Sequence, residues 1–300
     1  MPAAHGGSGS GSSRRGPVRV LRALAVAGIL VWSLGPVVVG LLTSISTQAD
    51  VTAVPAVWFP PHPSLGTYRE LLGAGRGAGP APLPAPDLAP PFTHSMLSSG
   101  LVAAETTLVT LTVSVLAGYA FARLEFRGRR VLLGAIVATL AIPVFALVAP
   151  LFRLMVSLHL MDTNGGLVLV YVSAIAPLAM WLFYSYCRDI PAEPEEAALV
   201  HGCTRPQALL RIVLPQMRPG IGALTAIVFL AAWSQFLIPL LFAQSGANKP
   251  VTVLVTEFAG KYTANDPLVA AAGMIAIVPP ALVALTQSRK IRGMLEGSGP

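Results

Sequence analysis

The stretch Asp189–Ile221, DIPAEPEEAALVHGCTRPQALLRIVLPQMRPGI, is a charged island between two apolar segments of membrane-spanning length. Two prolines and the glutamates that follow them (191–196) suit the first turn of a helix, where a carboxylate faces the positive end of the dipole. Gly202 suits the C-terminal corner of that helix, and Thr204 with Gln207 forms a capping-box pattern for a second helix. The stretch therefore predicts a rigid elbow of two short helices.

The composition is that of a membrane protein. Hydrophobic residues make up 54% of the chain and charged residues 11%, whereas a soluble domain carries roughly a quarter charged residues. Six apolar segments each have about 20 or more residues, enough to cross ~30 Å of hydrocarbon as a helix. They lie at 20–43, 97–122, 131–158, 165–187, 220–243 and 267–287. We therefore predict an all-α, polytopic membrane protein with six transmembrane helices.

The loop arginines predict which ends of these helices face the cytoplasm. Cytoplasmic loops carry the excess of Lys and Arg, so the richer side is placed inside, together with both termini and the elbow. The inner set comprises Arg14, Arg15, Arg19, Arg22, Arg123, Arg127, Arg129, Arg130, Arg188, Arg205, Arg211, Arg218, Arg289, Lys290 and Arg292. The outer set comprises Arg69, Arg76, Lys249 and Lys261. The competing interpretation of the first span as a signal peptide is disfavoured because its apolar run is too long.

The chain divides at the ends of its apolar segments. We expect a disordered cytoplasmic tail and then a first transmembrane helix, followed by an extracytoplasmic loop with a low-complexity insert at 73–91. A helical core with the elbow loop at 188–220 and a short cytoplasmic C-terminal tail complete the chain. The boundaries are 1–16, 17–43, 44–96, 97–287 and 288–300.

Several motifs together resemble one family. They are Glu196-Ala197-Ala198, Gly202, Ile212-Val213-Leu214-Pro215, Trp233-Ser234-Gln235-Phe236, Ala117–Arg123, Ser64–Tyr68 and Arg292–Gly297. The elbow motif resembles the EAA loop of permease subunits in binding-protein-dependent ABC importers, and the set is similar to the carbohydrate-type, MalG-like permeases with a MetI-like fold. The resemblance covers roughly residues 17 to 297.

The chain departs from the family pattern at three places. His201 stands where the family usually has an acid before the glycine, and His94 stands where it usually has Asn. Ser234 and Gln235 stand where the family usually has Asn and Glu. The last departure weakens any transfer of substrate contacts to this segment.

The resemblance implies a transport function. The chain would form part of the translocation path for a sugar or oligosaccharide in a bacterial inner membrane, with its elbow docking on a separate ATPase. The docking residues would be Glu196, Ala197, Ala198, Gly202 and Pro215. Implied partners are a dimer of ATP-binding subunits, a second homologous permease and an extracytoplasmic solute-binding protein. The alternatives are an ABC importer for a polyamine or another small solute, or an ion-coupled secondary transporter, for which neither inverted repeats nor midplane acids are evident.

Other function classes lack their motifs. No GxxxxGK[ST] phosphate loop occurs in the chain, so ATP and Mg²⁺ are expected on the partner ATPase and no cofactor on this subunit. No HExxH or GxSxG motif or paired catalytic Asp lies in the spans, which argues against an enzyme. Cys187 and Cys203 cannot form a zinc site without further ligands. Nucleic-acid binding is not predicted, because the basic residues are interspersed with the spans.

Two intramembrane features leave alternatives open. Glu105 and Arg153 both fall in the outer half of their spans, where they would form an ion pair or each reach the interface separately. Trp233, Ser234 and Gln235 fall about halfway along the fifth span, where they would line a translocation path or form hydrogen bonds between helices.

Overall fold

A computed structural model describes residues 15–55, 57–74, 89–243, 248–261 and 265–297. This part of the chain is mainly helical, and no strand occurs in it. The helices are α1 (Arg15–Ser44), α2 (Gln48–Val51), α3 (Gly66–Leu71), α4 (Ala89–Arg123), α5 (Arg129–Ala138), α6 (Val144–Ser157), α7 (Asn164–Asp189), α8 (Glu193–Val200), α9 (Arg205–Ala208), α10 (Leu214–Gln216), α11 (Arg218–Trp233), α12 (Leu237–Phe242), α13 (Val251–Lys261) and α14 (Asp266–Gly297). The predicted all-α architecture is confirmed.

Four helices are long and apolar enough to span a membrane without a break, and two bent helix pairs raise the number to as many as six. The unbroken spans are Leu21–Ser44, Pro91–Arg123, Asn164–Asp189 and Asp266–Gln287. Helix α4 begins at Ala89, ahead of the second apolar segment, and α14 continues to Gly297 into the expected C-terminal tail. Most of the predicted N-terminal tail (1–14) and most of the 73–91 insert (75–88) lie outside the described residues.

The predicted third span is not one straight helix. Its two halves, Arg129–Ala141 and Phe145–Ser157, meet at 104°. Pro143 causes the break, because proline disfavours helical backbone at the residue before it. Ile142 accordingly takes an extended conformation, with φ −81° and ψ 120°. The segment 131–158 is therefore a broken span or a re-entrant loop.

The predicted fifth span is also interrupted. Helix α11 ends at Trp233 and α12 begins at Leu237, so the polar pair Ser234 and Gln235 lies between two helices rather than within one. Pro239 has no N–H to donate to the carbonyl oxygen of Gln235 four residues earlier. The Thr252 hydroxyl of α13 donates to that oxygen instead, at 2.8 Å.

The core forms where α4 packs against α7. Small buried side chains recur at every fourth position of α4, at Thr106, Thr110, Ser114 and Gly118. Residues four apart lie on one helix face, so this seam lets the two backbones approach closely. A Cβ added to Gly118 would lie 2.8 Å from the Phe183 ring of α7. Close packing of α4 on α7 therefore sets the position of the elbow that follows α7.

Contacts at the two ends of the bundle show which helix ends lie beside the elbow and which lie opposite it. At one end, Arg123 of α4 contacts Ile190, which follows α7. At the opposite end, the Ser44 hydroxyl lies 2.6 Å from the Tyr68 hydroxyl, and Gln48 donates to Asp266 at 3.1 Å. Helix α1 thus begins at the elbow end of the bundle and finishes at the other.

Candidate functional site

The elbow has the local structure that its sequence predicts. Helix α8 ends in a Schellman motif, in which the N–H of Gly202 donates to the Leu199 carbonyl and the N–H of Cys203 to the Ala198 carbonyl, both at 3.0 Å. Gly202 has φ +89°, in the left-handed region where glycine carries no Cβ penalty. Thr204 and Gln207 form the predicted capping box at the start of α9, with the Thr204 N–H donating to Gln207 Oε1 at 2.9 Å.

The second half of the elbow is longer and less regular than one short helix. After α9 the chain continues through a π-helical segment, Leu209–Val213, and the short α10 before turning into α11. The helices before and after Met217 meet at 83°. Met217 is fully buried at this corner. The elbow therefore passes directly into the fifth apolar segment.

Glu195 of the elbow contacts two residues at the end of α4, Tyr119 and Arg123. Its side chain is 4% exposed, and its Oε2 lies 3.2 Å from Arg123 Nε, an ion pair without the alignment of a hydrogen bond. The Tyr119 hydroxyl donates to Oε1 at 2.5 Å, and the half-exposed Arg205 of α9 reaches the same oxygen at 3.4 Å. Arg123 also donates to the Ile190 carbonyl at 2.8 Å. Charged groups with so little water access require such partners.

The opposite face of α8 is open. Glu196 and Ala197 are exposed, and Ala198 and Pro215 are half-buried. Val200 on α8 is 85% exposed, and Leu210 in the π-helical segment is 63% exposed. One face of the elbow is thus anchored to the bundle, while the other presents apolar and acidic side chains.

The sequence analysis placed Glu195 at a helix start and missed its burial and its pairing with α4. A Tyr and an Arg four residues apart, as at Tyr119 and Arg123, share a helix face and suit a carboxylate. The sequence signal for the partner is ambiguous, because three glutamates occupy the first turn of α8: Glu193, Glu195 and Glu196. Only packing against α4 distinguishes the buried one from the others.

The Trp233 segment is divided between core and surface. Trp233 is buried and stacks on Phe229 with ring centroids 5.9 Å apart. Ser234 is exposed, and its hydroxyl donates to the Ala231 carbonyl of its own helix at 3.2 Å. A narrow crevice is lined in part by Trp233, Gln235 and Tyr171. The structure therefore brings Trp233 and Gln235 to one crevice and leaves Ser234 outside it.

Glu105 and Arg153 are not joined by an ion pair. Both side chains are exposed on the surface of the helix bundle. Among the described residues, the ion pairs involve Glu195 with Arg123 and Arg205, and Lys249 with Glu257. Of the two arrangements left open by the sequence, this chain has the one in which the two residues stay apart.

Residues 111–289 match the family described as binding-protein-dependent transport system inner membrane component. The chain belongs to this family. It is 32% identical over 278 residues to the sulfoquinovosyl glycerol transport system permease protein SmoH of Agrobacterium fabrum, covering 92% of each chain. It is also 32% identical over 239 residues to the trehalose transport system permease protein SugB of Mycobacterium tuberculosis, covering 79% of this chain and 83% of SugB.

A solved bacterial ABC transporter involved in import of the acidic polysaccharide alginate shares the fold of this permease. The TM-score is 0.76 at 22% identity, covering 95% of this chain and 99% of the other. Together with the family match, this confirms the predicted ABC importer permease fold. The relatives are named as transport permeases, so the predictions of a multi-pass membrane protein and of a transport subunit rather than an enzyme are confirmed as well.

Proposed function

We propose that this permease is one of two membrane subunits of a bacterial ABC importer and that its elbow receives a separate ATP-binding subunit. The observation that carries the proposal is the two-sided character of α8. Its inner face is anchored through Glu195, whereas Glu196, Ala197 and Val200 remain exposed. Exposed apolar side chains beside a carboxylate are suited to a protein partner.

The buried cluster suggests how movement of the ATPase would reach the membrane. Arg123 at the end of α4 contacts both Glu195 of α8 and the carbonyl of Ile190 after α7. A displacement of α8 would therefore displace the ends of the two helices that form the core. In the proposed cycle, ATP and Mg²⁺ bind to a dimer of partner ATPases, and closure of that dimer drives alternating access of the permease pair.

The docking proposal is tested with a charge placed on the open face of the elbow. Val200→Asp should abolish co-purification of the ATP-binding subunit, because it buries an unpaired carboxylate in the interface. Val54→Asp is the matched control, since Val54 is 97% exposed at the opposite end of the bundle. Co-purification and ATP-driven uptake should be normal in the control. Normal assembly of Val200→Asp would contradict the proposal.

The proposed substrate is a sugar or oligosaccharide delivered by an extracytoplasmic solute-binding protein. The support is that SmoH and SugB are named for transport of a sulfoquinovosyl glycerol and of trehalose. A strain lacking this permease should lose uptake of labelled sugars from a panel that includes trehalose, and retain putrescine uptake. Loss of putrescine uptake alone would favour the polyamine alternative.

A further inference from the structure

A cleft of about 590 Å³ lies beside the elbow end of the bundle, between the start of α5 and the end of α7. Small-molecule sites in proteins commonly have roughly this volume. Three arginines line the cleft, Arg129 and Arg130 from α5 and Arg188 from α7, together with one acid, Glu125. The lining therefore has an excess of positive charge, and none of these residues belongs to the Glu195 cluster.

The three guanidinium groups have N–H donors that remain available to bind an anion. Arg188 lies over the Tyr184 ring, 5.7 Å from its centroid, and donates to the Tyr184 hydroxyl at 3.2 Å. Arg129 donates to the Leu124 carbonyl at 3.3 Å. Within the part of the chain that the structure describes, no carboxylate forms an ion pair with any of the three. Each guanidinium has five N–H donors, so most of them are available.

The start of α5 carries an unfavourable arrangement of charge. Arg129 and Arg130 occupy its first turn, and that turn contains no acidic residue. The N-terminus of a helix is its positive end, where cations are destabilising and anions are favoured. Arg129 follows Gly128, which turns the chain into the helix with φ +83°. An anion in the cleft would offset the repulsion between the two arginines and the helix end.

The cleft has apolar as well as basic walls. Val131 is 77% exposed and Phe126 is 41% exposed, and both line it. Tyr184 stands near the end of the α7 span, a level at which aromatic side chains commonly meet lipid headgroups. A basic pocket between membrane helices with an apolar margin suits a ligand that has both a phosphate and acyl chains.

We propose that this cleft binds the phosphate headgroup of an anionic phospholipid, with Arg130 and Arg188 as its principal ligands. The inference rests on the proposed function, because it assumes a permease whose elbow end lies at the cytoplasmic membrane surface. Arginine suits the role since its planar fork donates two hydrogen bonds to one phosphate. Bound lipid would brace the loop between α4 and α5 against the end of α7.

The test measures lipid retained by the purified full chain, using native mass spectrometry. Phosphatidylglycerol should be retained in preference to phosphatidylcholine. Arg130→Gln with Arg188→Gln should weaken phosphatidylglycerol retention by about 10- to 30-fold, since each basic residue contributes on the order of 1 kcal/mol near an anionic lipid. Arg130→Lys with Arg188→Lys should lose less, because it keeps both charges. Arg127→Gln is the matched control: Arg127 is exposed on the same loop but does not line the cleft.

Three results would overturn the proposal. They are equal retention of both lipids by the unchanged chain, an equal loss in Arg127→Gln, and displacement of phosphatidylglycerol by millimolar inorganic phosphate. The last result would assign the cleft to free phosphate. The assay needs no ATPase, so a permease that retained the lipid yet failed to co-purify with an ATP-binding subunit would contradict the proposed function alone.

Discussion

Glu195 is the residue on which the attachment of the elbow depends. Its carboxylate has partners on α4 and α9, and it is buried although it lies one position from the exposed Glu196. Removing one partner of a buried ion pair leaves the other charge uncompensated, which costs more than the pair contributes.

Glu195→Gln should therefore destabilise the permease by about 3 kcal/mol, because Arg123 loses its counter-charge. The measurement is the thermal unfolding midpoint of the purified chain in detergent. Combining Glu195→Gln with Arg123→Gln should recover part of the loss. Glu193→Gln, an exposed change in the same helical turn, should leave the midpoint unchanged. A double variant whose loss equals the sum of the single losses would show that the two residues act independently.

Glu105 and Arg153 should behave in the opposite way. Since both are exposed and no ion pair joins them, the effects of Glu105→Gln and Arg153→Gln on unfolding should add to within about 0.5 kcal/mol. The same unfolding assay decides the matter. If the double variant loses less stability than the sum of the two single losses, the two residues interact, as the ion-pair alternative requires.

The conformation of the elbow depends on one residue with left-handed backbone, Gly202. A Cβ at Gly202 would meet nothing within 4 Å, so only its backbone conformation restricts substitution. Gly202→Asn should assemble normally, because Asn adopts this conformation readily, whereas Gly202→Val should not. Both variants should insert in the membrane. The measurements are co-purification of the ATP-binding subunit and solute uptake. Normal co-purification and uptake with Gly202→Val would show that coupling does not depend on this corner.

The α4 seam supplies a further prediction. Gly118→Ala should destabilise the permease by roughly 1–3 kcal/mol, because its methyl group would lie 2.8 Å from the Phe183 ring and 3.1 Å from the Tyr184 nitrogen. Gly100→Ala, on the same helix with nothing within 4 Å of its Cβ, should be neutral or stabilising. Unfolding midpoints of the two variants provide the comparison. Equal midpoints would mean that α4 and α7 are not held at this separation.

Helix α1 lies apart from the core that α4 and α7 form. It packs mainly on α14, near Gly40 and Met274, and many of its apolar side chains are exposed, with Trp32 at 86%. A helix of this composition is stable in lipid without further protein contacts. Helix α1 therefore packs on α14, and α14 connects it to the α4–α7 core through α11, with the elbow at one end of the bundle.

The orientation of this bundle is a prediction from the arginine bias. In a chain with Cys187 and Cys203 replaced by alanine, Val54→Cys should react with a membrane-impermeant thiol reagent in intact cells. Gln207→Cys, exposed on the elbow, should react only after the cells are opened. The reverse labelling pattern would contradict a cytoplasmic elbow.

Features that depend on short stretches of chain could be predicted from the sequence. Apolar length predicted the four unbroken spans, and turn chemistry predicted the corner at Gly202 and the capping box at Thr204, because these follow from nearby residues alone. Pro143 and Pro239 carried a signal for the breaks in the third and fifth spans, but the signal was ambiguous. Proline can also be accommodated within a membrane helix, as Pro177 is in α7.

Which polar groups meet depends on the packing of segments that are distant in the chain. Glu195 rather than Glu196 is buried because α8 lies against the end of α4, and Glu105 and Arg153 stay apart although the sequence places both in the outer half of their predicted spans. The basic cleft likewise exists only because the start of α5 returns beside the end of α7. These contacts join residues distant in the chain, and they follow from how the helices pack rather than from any local propensity.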